Sequence, residues 1–414
     1  MSRILLQRFR GTNVKRNKIA AIDVGTTKVC TIIADNSGVA GFRVLGVGIS
    51  PSHGIHRGLV ANVKEARESI QESVRRAEQV AGSKIESAIL GVTGQHIMST
   101  NNQAAVAITR RKQTVHPEDL KRVTAVASSI EIPSERELLH VIPRNYKIDG
   151  QEGIDNPVGM HGFRLDVETH IITAAKTSVQ NLAKCINGLG INIDSLVLGH
   201  LASAEAVLTE DEKRTGVMMA DIGGGITDIA VFKSGTAFHT SLLPVSGYQV
   251  THDISIALQL PFELAEKIKR NHGSVSSDLS IWQGDKALAQ DGYSVSYKEL
   301  AEVIKVRIEE LLRLIMLELP GEDRRKMIPS GLVITGGCAN LPGIAELAEE
   351  IIHLPARIGI PARLDGVSDI LQDPACATGV GLLLWQTRKR DKQDWRVREK
   401  TGNRFMTRIA QLMH

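Results

Sequence analysis

Two stretches set far apart in this chain of 414 residues are near copies of one another: AIDVGTTK (Ala21 to Lys28) and ADIGGGITDIAVF (Ala220 to Phe232). Each reads as an apolar strand, an Asp, a Gly/Thr turn and a second β-rich run. A unit repeated in this way predicts a duplicated domain, one copy in each half, with the two turns facing across a cleft. Glycines in such turns let the backbone approach a ligand while successive N–H groups point outward, which suits anionic phosphate oxygens. The residues in question are Gly25, Gly223, Gly224 and Gly225, with Thr26, Thr27 and Thr227 as hydroxyl donors. Asp23 and Asp221 cannot bind phosphate directly, so their sensible role is to hold the waters around a Mg²⁺ that bridges phosphates. Lys28 could touch a phosphate oxygen or equally lie on the surface. One such turn alone would be an ordinary hairpin as readily as a site; the pair is far more specific. The chain has no Gly-x-x-x-x-Gly-Lys-Ser/Thr loop and no Gly-x-Gly-x-x-Gly fingerprint, so the commoner nucleotide folds do not compete.

Bulk properties narrow the class. An apolar content of 42% supplies core for two to four domains. A net charge of +4 on 50 basic and 46 acidic side chains is too balanced for a dedicated nucleic-acid binder. Cys30, Cys185, Cys338 and Cys376 are scattered without a Cys-x-x-Cys pair, so neither a zinc site nor a disulfide framework is expected, and reduced thiols are the default. Met1 to Lys18 is basic but too poor in apolar residues for a signal peptide, and no apolar run is long enough to span a bilayer. An intracellular protein with at most peripheral membrane contact is expected.

Strand-like runs at Ile19 to Ile22, Ala88 to Val92, His170 to Ala174, Val217 to Ala220 and Gly331 to Thr335 alternate with helical patterns at Val63 to Ala81, Val179 to Leu189 and Tyr297 to Leu319. That alternation predicts an α/β architecture. The segment from Thr93 to Val167, rich in polar residues and prolines, reads as an inserted subdomain. Gln386 to Gly402 carries seven Lys/Arg against three acids without apolar periodicity, as a flexible linker would. In the last twelve residues, Phe405, Met406, Ile409, Leu412 and Met413 form one apolar helical stripe flanked by Arg404 and Arg408. At roughly 25 cal/mol per Å² of apolar area, burying it at a headgroup boundary yields a few kcal/mol. The basic linker adds about 1 kcal/mol per Lys/Arg near an anionic leaflet.

A third strand-turn, VITGGCANLPG (Val333 to Gly343), completes a motif set that resembles the actin, sugar-kinase and heat-shock-chaperone superfamily. The resemblance implies ATP as ligand, with Gly336, Gly337 and Asn340 along base and ribose. It also implies that Glu266 and Lys269, on the helix AEKIKR, contact the adenosine. Within the superfamily, GLVANVKEARESIQESVRRAEQVAG (Gly58 to Gly82), GVTGQHI (Gly91 to Ile97), HVIPRNYKIDGQEGIDNPVGMHGFRLDV (His140 to Val167) and ASAEAVLTEDEKRTGVMMADIGGGITD (Ala202 to Asp228) resemble the FtsA family of bacterial cell division. The likeness runs from about Ile19 to Trp385.

The fold so implied is an actin-like, ribonuclease H-like duplicated ATPase fold with an FtsA-type insert and a C-terminal amphipathic helix. Its expected parts are a basic leader (1–18), subdomain 1A (19–92 and 168–215), insert 1C (93–167), subdomain 2A (216–250 and 330–385), subdomain 2B (251–329), a basic linker (386–402) and a membrane-targeting helix (403–414). The family resemblance further implies that the long helix of 2B receives the C-terminal tail of FtsZ, with Arg307 and Glu310 matching its Arg-x-x-Glu pair. Spacing alone would make that pair an i, i+3 salt bridge. Later division proteins would bind the insert, and copies of the chain would form a filament. Hydrolytic members place a Glu or Gln at the stretch equivalent to Gly199-His200-Leu201 to position water. Here Gly199 stands there, with His200 a doubtful substitute, so hydrolysis is expected to be weak and no residue is assigned a catalytic role beyond Asp23 and Asp221. The main rival is a PilM-like adaptor of type IV pilus assembly, which shares the fold and would bind a short peptide of a membrane protein. A sugar kinase or chaperone would need a substrate cleft or substrate domain that is not evident.

Overall fold

The computed structural model describes residues 18–37, 41–109, 113–276, 287–290, 292–321 and 323–391. Two sheets carry the duplication. In the first, Lys18–Val24, Lys28–Asp35 and Arg43–Pro51 form an antiparallel meander, and Ser87–Val92 and then Asn192–Leu198 add in parallel on the side of the first strand. In the second, Val217–Ile222, Thr227–Lys233 and Thr236–Leu243 repeat the meander, and Leu332–Thr335 and Ala356–Ile358 add in parallel. The central strands are buried on both faces, which is why IAAI, VMMA and LVIT read as continuous apolar runs rather than as alternating ones.

Helices seal these faces. Val63–Ala81 starts where the Asn62 side chain accepts the Lys64 and Glu65 amides and stops at Gly82 in the left-handed region, packing Ala66, Ile70 and Ala77 on the first sheet. In the second lobe Tyr297–Leu317 buries the expected stripe of Leu300, Ile304, Ile308, Leu311 and Ile315. Gly247–Ala257 and Phe262–His272 complete that subdomain.

The boundaries differ from expectation in three places. His170 to Ala174, read as a first-lobe strand, is part of Arg164–Ala175, a central strand of the insert's own antiparallel sheet beside Ile97–Ala107 and Arg136–Ile148. The chain also returns to the first lobe before residue 385: Asp365–Gly366 pairs in parallel with Arg43–Pro51. Ala377–Asp391 then lies on the first lobe, burying Ala377, Val380, Leu382 and Leu383 in a core shared with Ala21, Ile32 and Ile89. This helix crosses Gly199–Val207 so closely that a Cβ on Gly381 would meet the Ala202 carbonyl oxygen at 1.8 Å. Finally, residues 386–391, read as linker, continue this helix. Their high charge is that of a helix end, and charge alone does not break a helix. The leader (1–17), the rest of the linker and the amphipathic segment 403–414 lie outside the described residues.

The insert bridges the lobes. His170 on its central strand bonds Asn101 at 2.7 Å and Thr240 of the second sheet at 2.9 Å, and Arg144 stacks its guanidinium 3.8 Å from the Phe238 ring centroid.

Candidate functional site

The two repeated turns have the same internal closure. Gly25 N–H donates to the Lys28 carbonyl at 2.9 Å, and Gly223 N–H donates to the Ile226 carbonyl at 3.0 Å. They meet face to face. A Cβ on Gly224 would stand 2.2 Å from Thr27 Cγ2, and one on Gly225 would stand 2.6 Å from Thr26 Oγ1. Only glycine fits opposite the two threonines, which accounts for GGG in one copy facing TT in the other.

Asp23 and Asp221 sit at the strand ends beneath these turns. Burial raises the Asp23 carboxyl to about 7, opposed by Lys28 and reinforced by Asp221. Burial likewise raises Asp221 to about 6, with Asp228 adding to it and the Ser203 and Thr378 hydroxyls lowering it. Ser203 Oγ donates to Asp221 Oδ2 at 2.7 Å and Thr378 Oγ1 at 3.3 Å, so the carboxylate is aimed by the two crossing helices. Two carboxylates are too few for an all-protein metal cage and suit a Mg²⁺ that keeps most of its waters. The donor set therefore fits that ion.

Other expected residues are placed as follows. Gly336, at φ 84°, lies against Asp221: a Cβ there would be 2.4 Å from Oδ1. Gly337 faces open space. Asn340 Nδ2 donates to Asp373 at 2.9 Å, and the carbonyl of Pro374 accepts from Gly336 N–H and from Thr335 Oγ1, tying the third turn to the segment that re-enters the first lobe. Lys269 is buried, and its ammonium donates to the Gly247 carbonyl, Thr251 and Glu266. Its three donors are satisfied within the protein, so it positions Glu266 rather than offering a free charge. Thr227 is fully buried between two strands and spends its hydroxyl proton on the Val245 carbonyl at 2.6 Å, so it is not the free hydroxyl donor expected. Lys28 does not lie on the surface: its ammonium reaches back to Cys376 Sγ at 3.4 Å. The hydrogen bond from Cys30, with Lys28 alongside, brings the Cys376 thiol down to about 6 against the effect of burial.

Sequence reasoning missed Ser203, Thr378, Thr93 and Asp228. Thr93 Oγ1 donates to Asp228 Oδ2 at 2.6 Å, and His200 Nδ1 stands 3.4 Å from Oδ1. Asp228 could have been found as the residue that pairs with Asp221 in the repeated hairpin. Thr93 and Ser203 lie inside the stretches GVTGQHI and ASAEAV, whose likeness to the family carries no role for them, and Thr378 lies in no quoted motif. A second feature lies on the outer side of the second lobe. Arg307 bridges Asp253 and Glu310, and beside it Asp253, Ile256, Ala257, Glu302, Val303 and Val306 line a shallow groove. Ile256 and Val306 are 66% and 68% exposed there.

Two lobes of repeated topology, joined by crossing helices and closing on paired glycine turns, define an actin-like fold. Solved structures agree. A PilM–PilN type IV pilus biogenesis complex matches with a TM-score of 0.62 at 17% identity, covering 89% of this chain and 98% of that one. MreB5 of Spiroplasma citri bound to AMPPNP matches with 0.54 at 14%, covering 90% and 97%. The family follows from sequence relatives. A model described as the SHS2 domain inserted in FtsA matches residues 94–173, and one described as cell division protein FtsA matches 218–381. Cell division protein FtsA of Pseudomonas aeruginosa is 40% identical over 90% of this chain and 89% of its own length. That of Escherichia coli K12 is 36% identical over 89% and 90%, and that of Bacillus subtilis is 32% identical over 94% and 88%. The chain belongs to the FtsA family of cell division proteins. The insert limits of 94–173 agree with its sheet, which ends at Ala175.

Proposed function

We propose that this chain binds Mg–ATP between its lobes, assembles into a polymer at the inner face of the cytoplasmic membrane, and tethers the FtsZ ring there. The observation that carries the nucleotide part is the contact of Thr26 and Thr27 with Gly225 and Gly224, above two carboxylates, Asp23 and Asp221, that burial holds toward the protonated form. In this reading the turn amides other than those of Gly25 and Gly223, which close their own turns, hold phosphate oxygens with the Thr26 and Thr27 hydroxyls, while Asp23 and Asp221 order the waters of Mg²⁺ and Lys28 supplies positive charge. Gly336, Gly337 and Glu266 face the nucleoside. Mg²⁺, when bound, neutralises phosphate charge. Gly199 offers no side chain to position water, so turnover stays slow and the nucleotide serves chiefly to favour the closed, polymerising form.

The FtsZ tail is assigned to the groove beside Arg307 and Glu310, where exposed apolar side chains lie next to an ion-paired cation. A short peptide that buries apolar side chains against Ile256 and Val306 fits that groove. The insert carries later division proteins, and the stripe of Phe405, Met406, Ile409, Leu412 and Met413 with Arg408 enters the lipid. No described helix is long and apolar enough to cross a membrane, and the described helix ends on the first lobe at Asp391. Cosedimentation with anionic vesicles tests the tether: the full chain pellets and a form ending at Asp391 stays in solution. Equal pelleting of both would refute it. Titration with a fluorescent ATP analogue tests the cleft independently.

A further inference from the structure

The helix Gly247–Ala257 touches both of the sites assigned above. Its first two amides close on the second glycine turn: Gly247 N–H donates to the Gly223 carbonyl at 3.0 Å, and Tyr248 N–H donates to the Gly224 carbonyl at 2.8 Å. Ser246, the residue before the helix, is fully buried and donates its hydroxyl to the same Gly224 carbonyl at 2.8 Å. Two orphan donors of the helix start are thus satisfied by the turn. Each of these carbonyls shares a planar trans peptide with the next amide, so Gly224 N–H and Gly225 N–H point the opposite way, away from the helix. They are turn amides left for phosphate once Gly223 N–H has closed on the Ile226 carbonyl. The helix therefore sets the direction of anion-facing donors. The third turn and the helix that carries Glu266 meet it at the same point. A Cβ on Gly247 would stand 2.9 Å from Cys338 Sγ and 3.5 Å from Lys269 Nζ, and Lys269 donates to the Gly247 carbonyl at 3.0 Å while pairing with Glu266. Toward the other end, about 9 Å further along the axis, Asp253 accepts from Arg307, and Asp253, Ile256 and Ala257 form one wall of the groove. Between the ends Val250, Thr251 and Ile254 are fully buried in the second lobe. A packed helix of three turns shifts as one body, by about 1–2 Å where such shifts occur.

We propose that this helix couples the two sites: it fixes the Gly224 and Gly225 amides at one end and the Asp253–Ile256 wall at the other, so that nucleotide and groove peptide each tighten the other's binding. The coupling rests on the readings of both sites under Proposed function. Phosphate oxygens on the two amides favour one setting of the helix. A peptide packed on Ile256 beside Asp253 also favours one setting. The structure holds the turn contacts and the Asp253–Arg307 bridge together, so a single setting serves both ligands. Linkage is reciprocal: the factor by which nucleotide tightens the peptide equals the factor by which the peptide tightens nucleotide. Ser246 is a positioning residue in this scheme, because its hydroxyl ties the helix to the turn from a buried place that neither ligand reaches.

The test is a binding cycle on the full chain, at concentrations where sedimentation shows a monomer. A labelled FtsZ tail peptide is titrated with and without a saturating non-hydrolysable ATP analogue and Mg²⁺, and a fluorescent ATP analogue is titrated with and without saturating unlabelled peptide. Expected is a gain of about fivefold or more in each affinity, equal in the two directions. Ser246→Ala removes the hydroxyl tie, and Gly247→Ala pushes the helix off Cys338 and Gly223; each should bring the factor below about twofold. Two ligands that bind the parent chain independently overturn the coupling, whether or not either variant folds. A factor that survives in both folded variants overturns the role of this helix. Failure of the peptide, or of the analogue, to bind at all refutes that site's reading and the coupling with it, and leaves the other site's reading standing.

Discussion

Gly224 shows how little room a single side chain has at the meeting of the turns. Gly224→Val places branched carbon where Thr27 already stands, so the turns part and the phosphate cradle opens. We expect analogue affinity to fall at least tenfold, about 1.4 kcal/mol, with a small change in melting temperature, read by titration and calorimetry. Asp23 and Asp221 make the ion dependence of the same site legible through pH. Burial is the first cause of both raised values, about 7 and about 6. For an acid whose folded pKa lies above its unfolded one, the stabilising protonated form is complete below the ordinary carboxylate range and lost as pH rises through the folded value. On the proposed function, Mg²⁺ bound at this pair displaces those protons. Its stabilising effect on the melting transition should therefore grow between about pH 5 and 8, and a flat response across that range would contradict the pairing. At this scale the sequence was a good guide to which atoms approach the cleft, because a glycine has few reasons to face a threonine in a repeated turn. It was a poor guide to what holds them. Nothing in the motif shows that Lys269 is fully satisfied by Gly247, Thr251 and Glu266, or that Thr227 has given its proton to Val245.

Among elements, the long helix Tyr297–Leu317 was readable from its period alone, since a core stripe at i, i+4, i+7 leaves one choice of buried face. Its outer face was not, because Asp253 and Ile256 come from a different helix and only folding sets them beside Arg307 and Val306. Arg307→Glu should weaken binding of an FtsZ tail peptide about tenfold in fluorescence anisotropy. Its ion pairs are partly exposed, so the loss of stability should stay within about 1 kcal/mol. Unchanged peptide affinity would move the partner to another surface. His170 to Ala174 was recognisable as a strand, and residues 365–385 were grouped with subdomain 2A, yet both were assigned to the wrong neighbours. Local pattern fixes the type of an element; which sheet or lobe it joins is decided by pairing with residues far away in the chain.

For the whole molecule, the crossing of Gly199–Val207 and Ala377–Asp391 matters most, since both helices aim side chains at Asp221 from the seam between lobes. Gly381→Ala must push the helices apart at the Ala202 carbonyl. Overpacking of this kind costs about 1–3 kcal/mol, so the melting temperature should drop by several degrees. A variant that melts like the parent would show that the crossing tolerates separation.

The return of the chain to its first lobe carries a mechanical corollary. Asp391, the last described residue, belongs to a helix packed on the lobe that also holds the opening strand, whereas the Arg307 groove belongs to the opposite one. On the proposed function, a pull exerted by a cytoskeletal ring on the groove and resisted by lipid at the C-terminus would run through the seam with its nucleotide and through the insert that bridges the lobes. Tension and nucleotide occupancy become two readings of one gap.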